Sequence, residues 1–402
     1  MAVVKADAYG HGAVEVCRRL SDAGATHFAV ACMEEAALLR RSGIRGELLV
    51  LGITPQELYP AIAEYDVVQT VSSLAYASQL ADCGPVRVHI KIDTGMSRLG
   101  LYCHTPEDVA RTAEDVARIA ALPGLKVEGI FTHFAESDAP RSDFTRRQFA
   151  VFSALLAELE RRGVDCGLRH CCNSAGILNF PEMHLDMVRA GIALYGCDPS
   201  PESRDAGLRP AMSLHSRVAF VSRIRPGDTV SYGRSYTADR PLDTAVISIG
   251  YADGLPRALS GRWSVRINGR PAPLIGKICM DLCVADVTGI PCAPGDDVVV
   301  FGPDNPAEAM ADVLGTIHYE LLCSVKNRVP RYYIKCVWNH AHKTKTVSCV
   351  WNEKERKPSV LSLFLSFLSP TLFRRICRLR RCASGRPSGG SGCSGFGQYV
   401  AD

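Results

Sequence analysis

Short apolar runs alternate with longer stretches of helical periodicity over the first half of the chain. The runs at residues 2–5, 26–31, 47–52, 67–70, 87–92, 126–131, 169–172 and 185–188 are β-rich and bounded by turn residues, which predicts eight strands. Between most of them, apolar spacings of three and four predict helices, as at 33–41, 72–80, 106–121 and 143–162. Strand–helix alternation repeated this way predicts an α/β fold with a parallel sheet and right-handed crossovers. Eight such units closing on themselves make a (β/α)8 barrel of the TIM type, at the small end of its size range. A doubly wound open sheet is the alternative, but no Gly-rich dinucleotide fingerprint follows the first strand.

After about residue 205 the pattern changes to short strands and turns. Arg225-Pro-Gly-Asp228 and Ala293-Pro-Gly-Asp-Asp297 carry turn chemistry, and Asn268-Gly269 is a hairpin signal. Residues 1–204 therefore read as the barrel and 205–334 as a smaller all-β domain, with one helix at 307–314. From about residue 335 the character changes again. Trp338, Trp351, five cysteines, an apolar block at 360–373 and the basic run Arg374-Arg-Ile-Cys-Arg-Leu-Arg-Arg381 precede a Gly/Ser-rich end. The apolar block is shorter than the roughly 20 residues that span a bilayer, and Pro370 interrupts it. Residues 335–402 read as a poorly ordered appendage rather than a membrane anchor.

Charge sharpens this division. The whole chain is +4, yet residues 337–402 carry 11 Lys and Arg against 3 Asp and Glu, which leaves residues 1–336 at −4. A slightly acidic body argues against a nucleic-acid partner. The 17 cysteines follow no disulfide-scaffold spacing, and Met1 opens directly into a strand without a signal-peptide pattern. Reduced thiols in a cytoplasmic protein are the economical reading. His340, His342 and Cys349 lack a second pair of ligands, so no metal site is expected.

The barrel reading requires chemistry just beyond the C-terminal ends of strands. Lys5 ends the first, Asp93-Thr-Gly-Met-Ser-Arg98 follows the fifth, and Thr132-His133 the sixth. Cys172-Asn173-Ser174 follows the seventh, and Arg189-Ala-Gly191-Ile192 the eighth. A lysine ending an apolar run is costly unless paired, neutralised or consumed in a covalent bond; the alternative is an edge strand whose lysine snorkels to water. Asn173-Ser-Ala-Gly176 and Arg189-Ala-Gly191-Ile192 supply turns suited to a phosphate on the last two strands. Phosphate turns plus a strand-end lysine suggest covalently held pyridoxal 5'-phosphate (PLP). A sugar- or nucleotide-phosphate enzyme using Lys5 as an electrostatic clamp is the other reading.

Ala2-Val-Val-Lys-Ala-Asp-Ala-Tyr-Gly-His-Gly12 closely resembles the PLP-lysine motif of the alanine racemase family. Lys91-Ile-Asp-Thr-Gly-Met-Ser-Arg-Leu-Gly100, Thr132-His-Phe134, Asn173-Ser174 and Val188-Arg-Ala-Gly-Ile-Ala-Leu-Tyr-Gly196 resemble its later barrel motifs, in order. Val230-Ser-Tyr-Gly233, Ile249-Gly-Tyr-Ala-Asp-Gly254, Ile278-Cys-Met-Asp281 and Arg328-Val-Pro-Arg331 continue the likeness to about residue 333. The resemblance implies an isomerase that interconverts L- and D-alanine for peptidoglycan, as a head-to-tail homodimer with shared active sites. It implies that Lys5 holds PLP and is the base on the D-alanine side, with Tyr232 of the partner subunit as the base for L-alanine. Proton acceptors on both faces of one carbon are what a racemase needs.

The same resemblance assigns Arg98 to the substrate carboxylate and Met280, from the partner, to substrate contact. Lys91 falls at a position carbamylated in some members, where it steadies that arginine. Arg189 would face the PLP ring nitrogen and, by keeping its own proton, favour racemisation over transamination. His133 would stack beside the ring and bond Arg189. Tyr9, Ser174, Gly191 and Ile192 would hold the phosphate, and Tyr251 would line the substrate entrance.

Asn327 stands where the resemblance leads one to expect a phosphate-binding tyrosine just before Arg-Val-Pro-Arg; its side chain is shorter. The family also has a β-domain strand and a barrel helix ahead of the lysine strand and ends soon after Arg331, so the resemblance implies an N-terminally incomplete barrel with an atypical tail. Other readings are a racemase for another small amino acid such as serine, decided near Tyr251 and Tyr236, or a catalytically silent PLP-binding relative. A PLP decarboxylase of the same architecture fits less well with Tyr232 in the racemase motif.

Overall fold

In the computed structural model, residues 1–200, 206–334 and 362–366 are described. Strands β1 (Ala2–Val3), β2 (His27–Val30), β3 (Glu47–Val50), β4 (Val68–Val71) and β5 (Val86–Asp93) pair in parallel in chain order. After the short β6 (Leu101–Tyr102), which pairs beside β5, the sheet continues with β7 (Leu125–Phe131) and β8 (Leu168–His170).

The eighth strand expected at 185–188 is an irregular segment instead. Leu185 takes φ 53°, and Arg169 donates its backbone N–H to the Asp186 side chain (2.9 Å) rather than to a main-chain acceptor. The segment still closes the ring. Asp186 N–H and Arg189 N–H reach the Arg169 and Cys172 carbonyls (3.1 and 2.9 Å), while Ala190 bridges Ala2 in parallel.

Strand alternation sorts β5 into two faces. Val88, Ile90 and Ile92, all fully buried, share one face, and His89, Lys91 and Asp93 share the other. His89 and Lys91 meet His170 and Phe131 of the neighbouring strands, so that second face lines the barrel interior. A register shift between Val88 and His89 opposite β7 brings Gly129 beside the His89 ring. A Cβ on Gly129 would lie 2.5 Å from that ring, so glycine is the residue the ring tolerates. Outside, helices Val109–Ala120 and Phe144–Arg161 bury stripes such as Thr112, Ala113, Val116 and Ile119. Each large apolar side chain so buried contributes about 1.5–3 kcal/mol.

The second half is antiparallel: β9 (Met212–Ile224), β10 (Thr229–Val230), β11 (Tyr236–Thr237), β12 (Leu242–Ile247), β13 (Ser264–Ile267), β14 (Arg270–Ile275), β15 (Cys283–Asp286) and β16 (Asp297–Phe301). β12 pairs with both β15 and β9, so six of these strands close on themselves. Asn268 and Gly269 both take positive φ (50° and 75°) between β13 and β14, the hairpin that their sequence predicts. β17 (Arg331–Ile334) follows, and β18 (Ser362–Ser366), a strand inside the segment expected to be poorly ordered, runs between it and β9. The rest of residues 335–402, with His340, His342 and Cys349, lies outside the described residues.

Besides the expected helix Ala307–Leu314 there is a second, His318–Ser324, whose Leu321 and Leu322 are buried. Its seven residues carry too little periodicity to stand out in the sequence. It seats on the barrel: Gly10 lies so close that a Cβ would run into the Leu322 carbonyl. Arg331 adds two hydrogen bonds to the Gly10 carbonyl (3.2 and 3.1 Å), and the Tyr333 hydroxyl donates to the His11 carbonyl (3.0 Å). Residues Met1–Phe367 form one compact unit. Among the described residues no helix is long and apolar enough to cross a membrane.

Candidate active site

Lys5 stands where β1 gives way to an unusual turn. Ala6, Asp7, Ala8 and Tyr9 all take left-handed backbone angles, φ 52° to 54°. Each costs a non-glycine residue roughly 1–2 kcal/mol, and such strain persists only where the surroundings over-determine it. They do so here. Glu35 accepts the N–H groups of Ala6 (2.6 Å) and Ala31 (2.8 Å), and Asp7 accepts that of Ala13 (2.7 Å). The buried His11 ring meets the Ala8 and Tyr9 carbonyls through Nδ1 (2.9 and 3.0 Å). The Lys5 amine is held below its ordinary pKa by burial and then by Arg98, against the opposing pull of Glu35 and Cys323.

A polar cradle faces this turn. The Ser174 hydroxyl accepts the N–H groups of Gly191 (2.9 Å) and Ala193 (3.3 Å), and Asn173 caps its own short helix through Gly176 N–H (2.9 Å). Gly191 has no room for a Cβ, which would lie 2.8 Å from the Tyr9 hydroxyl oxygen. Ile192 is buried at the start of the turn Ile192–Tyr195. Tyr9, Ser174, Gly191 and Ile192 are thus brought together. Tyr195 stacks on His11 (4.5 Å between centroids), lies 5.0 Å from Tyr9, and donates to the Val3 carbonyl (2.8 Å).

Arg189 is fully engaged inside the barrel. Its guanidinium donates to His170 Nδ1 (2.8 Å), the Thr132 and Cys171 carbonyls (2.8 and 2.9 Å) and His133 Nδ1 (3.1 Å). Burial lowers even its pKa, to about 10. Lys91 Nζ donates to the Ile92 carbonyl (2.6 Å) and lies 5.5 Å from the Phe131 ring centroid. Burial, with Arg189 next in weight, brings its pKa down to about 7. The His133 imidazole is pushed well below its usual value by burial and then by Arg189, Lys91, Arg98 and Lys5. Four basic side chains from three parts of the barrel therefore act on one neutral imidazole, an electropositive setting suited to anions.

Arg98 rides on a loop organised by Asp93, which accepts the N–H groups of Gly95, Met96 and Ser97 (3.0, 2.9 and 3.0 Å). His104 approaches the other Asp93 oxygen at 3.2 Å. Those backbone bonds hold the carboxyl below its usual range even though burial opposes them.

Tyr232, Tyr251 and Met280 belong to the antiparallel half, and they point outward. They are 70%, 41% and 54% exposed. Their loops are stitched together: the Ser231 hydroxyl donates to the Lys277 carbonyl (2.6 Å), and Tyr251 and Ala252 donate to the Cys279 and Met280 carbonyls (3.1 and 3.0 Å). Among the described residues, no hydrogen bond links them to the Lys5 cluster.

The structure adds residues that the sequence reading passed over. Tyr319 packs 6.1 Å from the Tyr9 ring, while Asn327 is exposed. The aromatic ring beside the phosphate-type turn is therefore supplied from the unpredicted helix His318–Ser324. Glu35 and Cys323 flank Lys5, and His170 and His89 extend the Arg189 network (2.9 Å between their nitrogens). Only the tyrosine in Thr316-Ile-His-Tyr319, four residues before Cys323, offered a sequence signal, and it reads equally as a helix-face aromatic.

A parallel barrel with a strand-end lysine and a cationic pocket, joined to a closed antiparallel sheet, defines a two-part barrel enzyme class. Residues 1–199 match the model "Alanine racemase, N-terminal domain", and residues 211–333 match "Alanine racemase, C-terminal domain". The chain belongs to the alanine racemase family. It is 44% identical over 341 residues to an alanine racemase of Desulfovibrio desulfuricans, covering 83% of this chain and 90% of that one. It is 45% identical over 345 residues to one of Desulforamulus reducens, with 83% and 91% covered. Among solved structures, it resembles alanine racemase from D-cycloserine-producing Streptomyces lavendulae with a TM-score of 0.78 at 37% identity, covering 83% and 90% of the two chains. The likeness to the Enterococcus enzyme (E.faecalis) has a TM-score of 0.76 at 34% identity, with the same shares covered.

Proposed function

We propose that this protein interconverts L- and D-alanine with PLP held at Lys5. The observation that carries the reading is the Tyr9–Ser174–Gly191 cradle running on from the Lys5 turn, with the Arg189 guanidinium held on His133 (3.1 Å). The residues fit the cofactor. A close-approach glycine, a hydroxyl, two tyrosines and main-chain N–H groups suit a phosphate, and a lysine with a lowered pKa suits an aldehyde. When bound, PLP supplies an electron sink for the pair left behind when the α-proton of alanine departs.

The chain's own groups then divide the work. Arg98 receives the substrate carboxylate through its guanidinium fork. Lys91, carrying a carbamate, steadies Arg98. Arg189, held by His170, His133 and two carbonyls through its terminal nitrogens, keeps its own proton and would leave the cofactor's ring nitrogen without one. Tyr9, Tyr319, Ser174, Gly191 and Ile192 hold the phosphate. His133, bonded to Arg189, would stay neutral and help hold the cofactor. Lys5 moves the proton on the D face. Tyr232 of the partner subunit moves it on the L face, with the partner subunit's Met280 against the substrate and Tyr251 at the entrance.

The exposure of Tyr232, Tyr251 and Met280 on one stitched patch supports a homodimer in which each patch completes the other barrel's site. The division near residue 205 then separates a cofactor-holding barrel from a β domain that serves the neighbouring active site. Twelve described cysteines are all free thiols, in keeping with a cytoplasmic enzyme supplying D-alanine for peptidoglycan. Exchange of deuterium from solvent into L- and D-alanine tests the reading. Exchange from both enantiomers, with lysine-bound cofactor absorbance that disappears in Lys5→Ala, supports it; a PLP-loaded protein that exchanges neither enantiomer contradicts it.

A further inference from the structure

Away from this pocket, three potential metal ligands meet. Cys197 follows the turn Ile192–Tyr195, Glu308 lies in the first turn of Ala307–Leu314, and His318 opens the helix His318–Ser324. One sulfur, one carboxylate oxygen and one imidazole nitrogen all lie within 4.8 Å of one another. We infer that Cys197, Glu308 and His318 form a binding site for a divalent transition-metal ion of the zinc type.

The chemistry of the set points to that class. Thiolate, imidazole and carboxylate together are the donors of a borderline-soft ion, not of magnesium or calcium. Cys197 is buried, and its sulfur lies within 4.8 Å of a Glu308 carboxylate oxygen. Burial and the Glu308 and Asp198 carboxylates hold the proton on its sulfur. A metal ion takes that proton's place: the S–H bond breaks, the proton leaves to solvent, and a metal–sulfur bond forms. Thiolate and carboxylate then offset the two positive charges, which removes the electrostatic objection to burying the ion. Zinc bonds of about 2.0–2.3 Å at tetrahedral angles separate ligand atoms by roughly 3.5 Å, so side-chain rotation of about 1 Å completes the set. A small cavity lined by Cys197, Glu308, Met212, Phe301 and Leu322 adjoins the set.

The location gives the ion a task. It ties the chain just past the phosphate-type turn to both helices of the antiparallel half. His318 is also the immediate neighbour of Tyr319, whose ring packs against Tyr9. An occupied site fixes Tyr319 in place.

The full-length holoenzyme, stripped with a chelator and titrated with Co2+, tests the assignment. One equivalent is expected to give the intense visible absorption of tetrahedral Co2+, and Zn2+ is expected to displace it and raise the thermal midpoint. Cys197→Ser should abolish the thiolate-to-metal band, and His318→Gln should weaken binding at least on the order of 100-fold, beyond the loss of an outer partner. Glu308→Gln, which keeps the thiolate, should retain the band but weaken binding, and serves as the test if Cys197→Ser does not fold. No tetrahedral band at one equivalent overturns the assignment. So does a band whose intensity and affinity are unchanged in both His318→Gln and Glu308→Gln.

Discussion

The Arg189 guanidinium donates to His170 Nδ1 at 2.8 Å, and His170 Nε2 stands 2.9 Å from His89 Nδ1. Arginine is always a donor, so His170 must accept at Nδ1 and carry its proton on Nε2, which it gives to His89. The arginine is thus held in one orientation by two neutral histidines in the barrel interior. Arg189→Lys replaces this fork with a point charge and strands acceptors in a buried site, at a cost of about 1–3 kcal/mol. The expected outcome is a lower thermal midpoint, slower racemisation, and more pyruvate per turnover, read by coupled assay.

Lys91 yields a pH-dependent prediction. Its pKa of about 7 leaves the amine largely neutral above that pH, and a neutral amine attacks CO2, forming an N–C bond and releasing a proton. A carbamate carbon signal is expected with 13C-labelled bicarbonate above pH 7. It should fade as the amine is protonated below pH 7 and be absent in Lys91→Ala. With Arg98 less restrained, that variant is expected to raise KM for alanine more than it lowers kcat.

Acid stability follows from the buried histidines. His11 and His89 are each lowered to about 4 by burial, from 6.5. Between these values the unfolded chain binds protons that the folded chain refuses, so their contribution is complete above about pH 6.5 and is lost as pH falls towards 4. Each accounts for a few kcal/mol by this linkage. Thermal midpoints measured from pH 7 to pH 4 should fall, and His89→Gln should flatten part of that slope.

The left-handed turn supplies a prediction of opposite sign. Ala6 is exposed with φ 53°, so Ala6→Gly removes a Cβ penalty of roughly 1–2 kcal/mol, partly offset by greater unfolded-state freedom. Chemical denaturation should show a gain of up to about 1 kcal/mol.

Much of this architecture was legible from periodicity. Seven of eight barrel strands, the Asn268-Gly269 hairpin and the placing of Lys5 and Ser174 just past strands follow from pattern and turn chemistry. What escaped depends on tertiary context. Leu185 breaks the eighth strand because Asp186 replaces a main-chain acceptor, and no propensity records that substitution. The turn after Lys5 is signalled by Gly10 and Gly12, but four consecutive left-handed residues without glycine have no sequence signature. Tyr319 gains its meaning only because Gly10 lets its helix sit against the barrel. Cys197, Glu308 and His318 meet from distant segments with none of the short ligand spacings that betray a metal site.

Mixed dimers test the shared active site most directly. Lys5→Ala and Tyr232→Phe chains are each expected to be inactive in racemisation. Combined in equal amounts and allowed to exchange subunits, half the dimers become mixed, and each of these holds one site with both an intact Lys5 and an intact Tyr232. The account predicts recovery of roughly a quarter of wild-type racemisation on that statistical basis. Demonstrated subunit exchange with no recovery would contradict it.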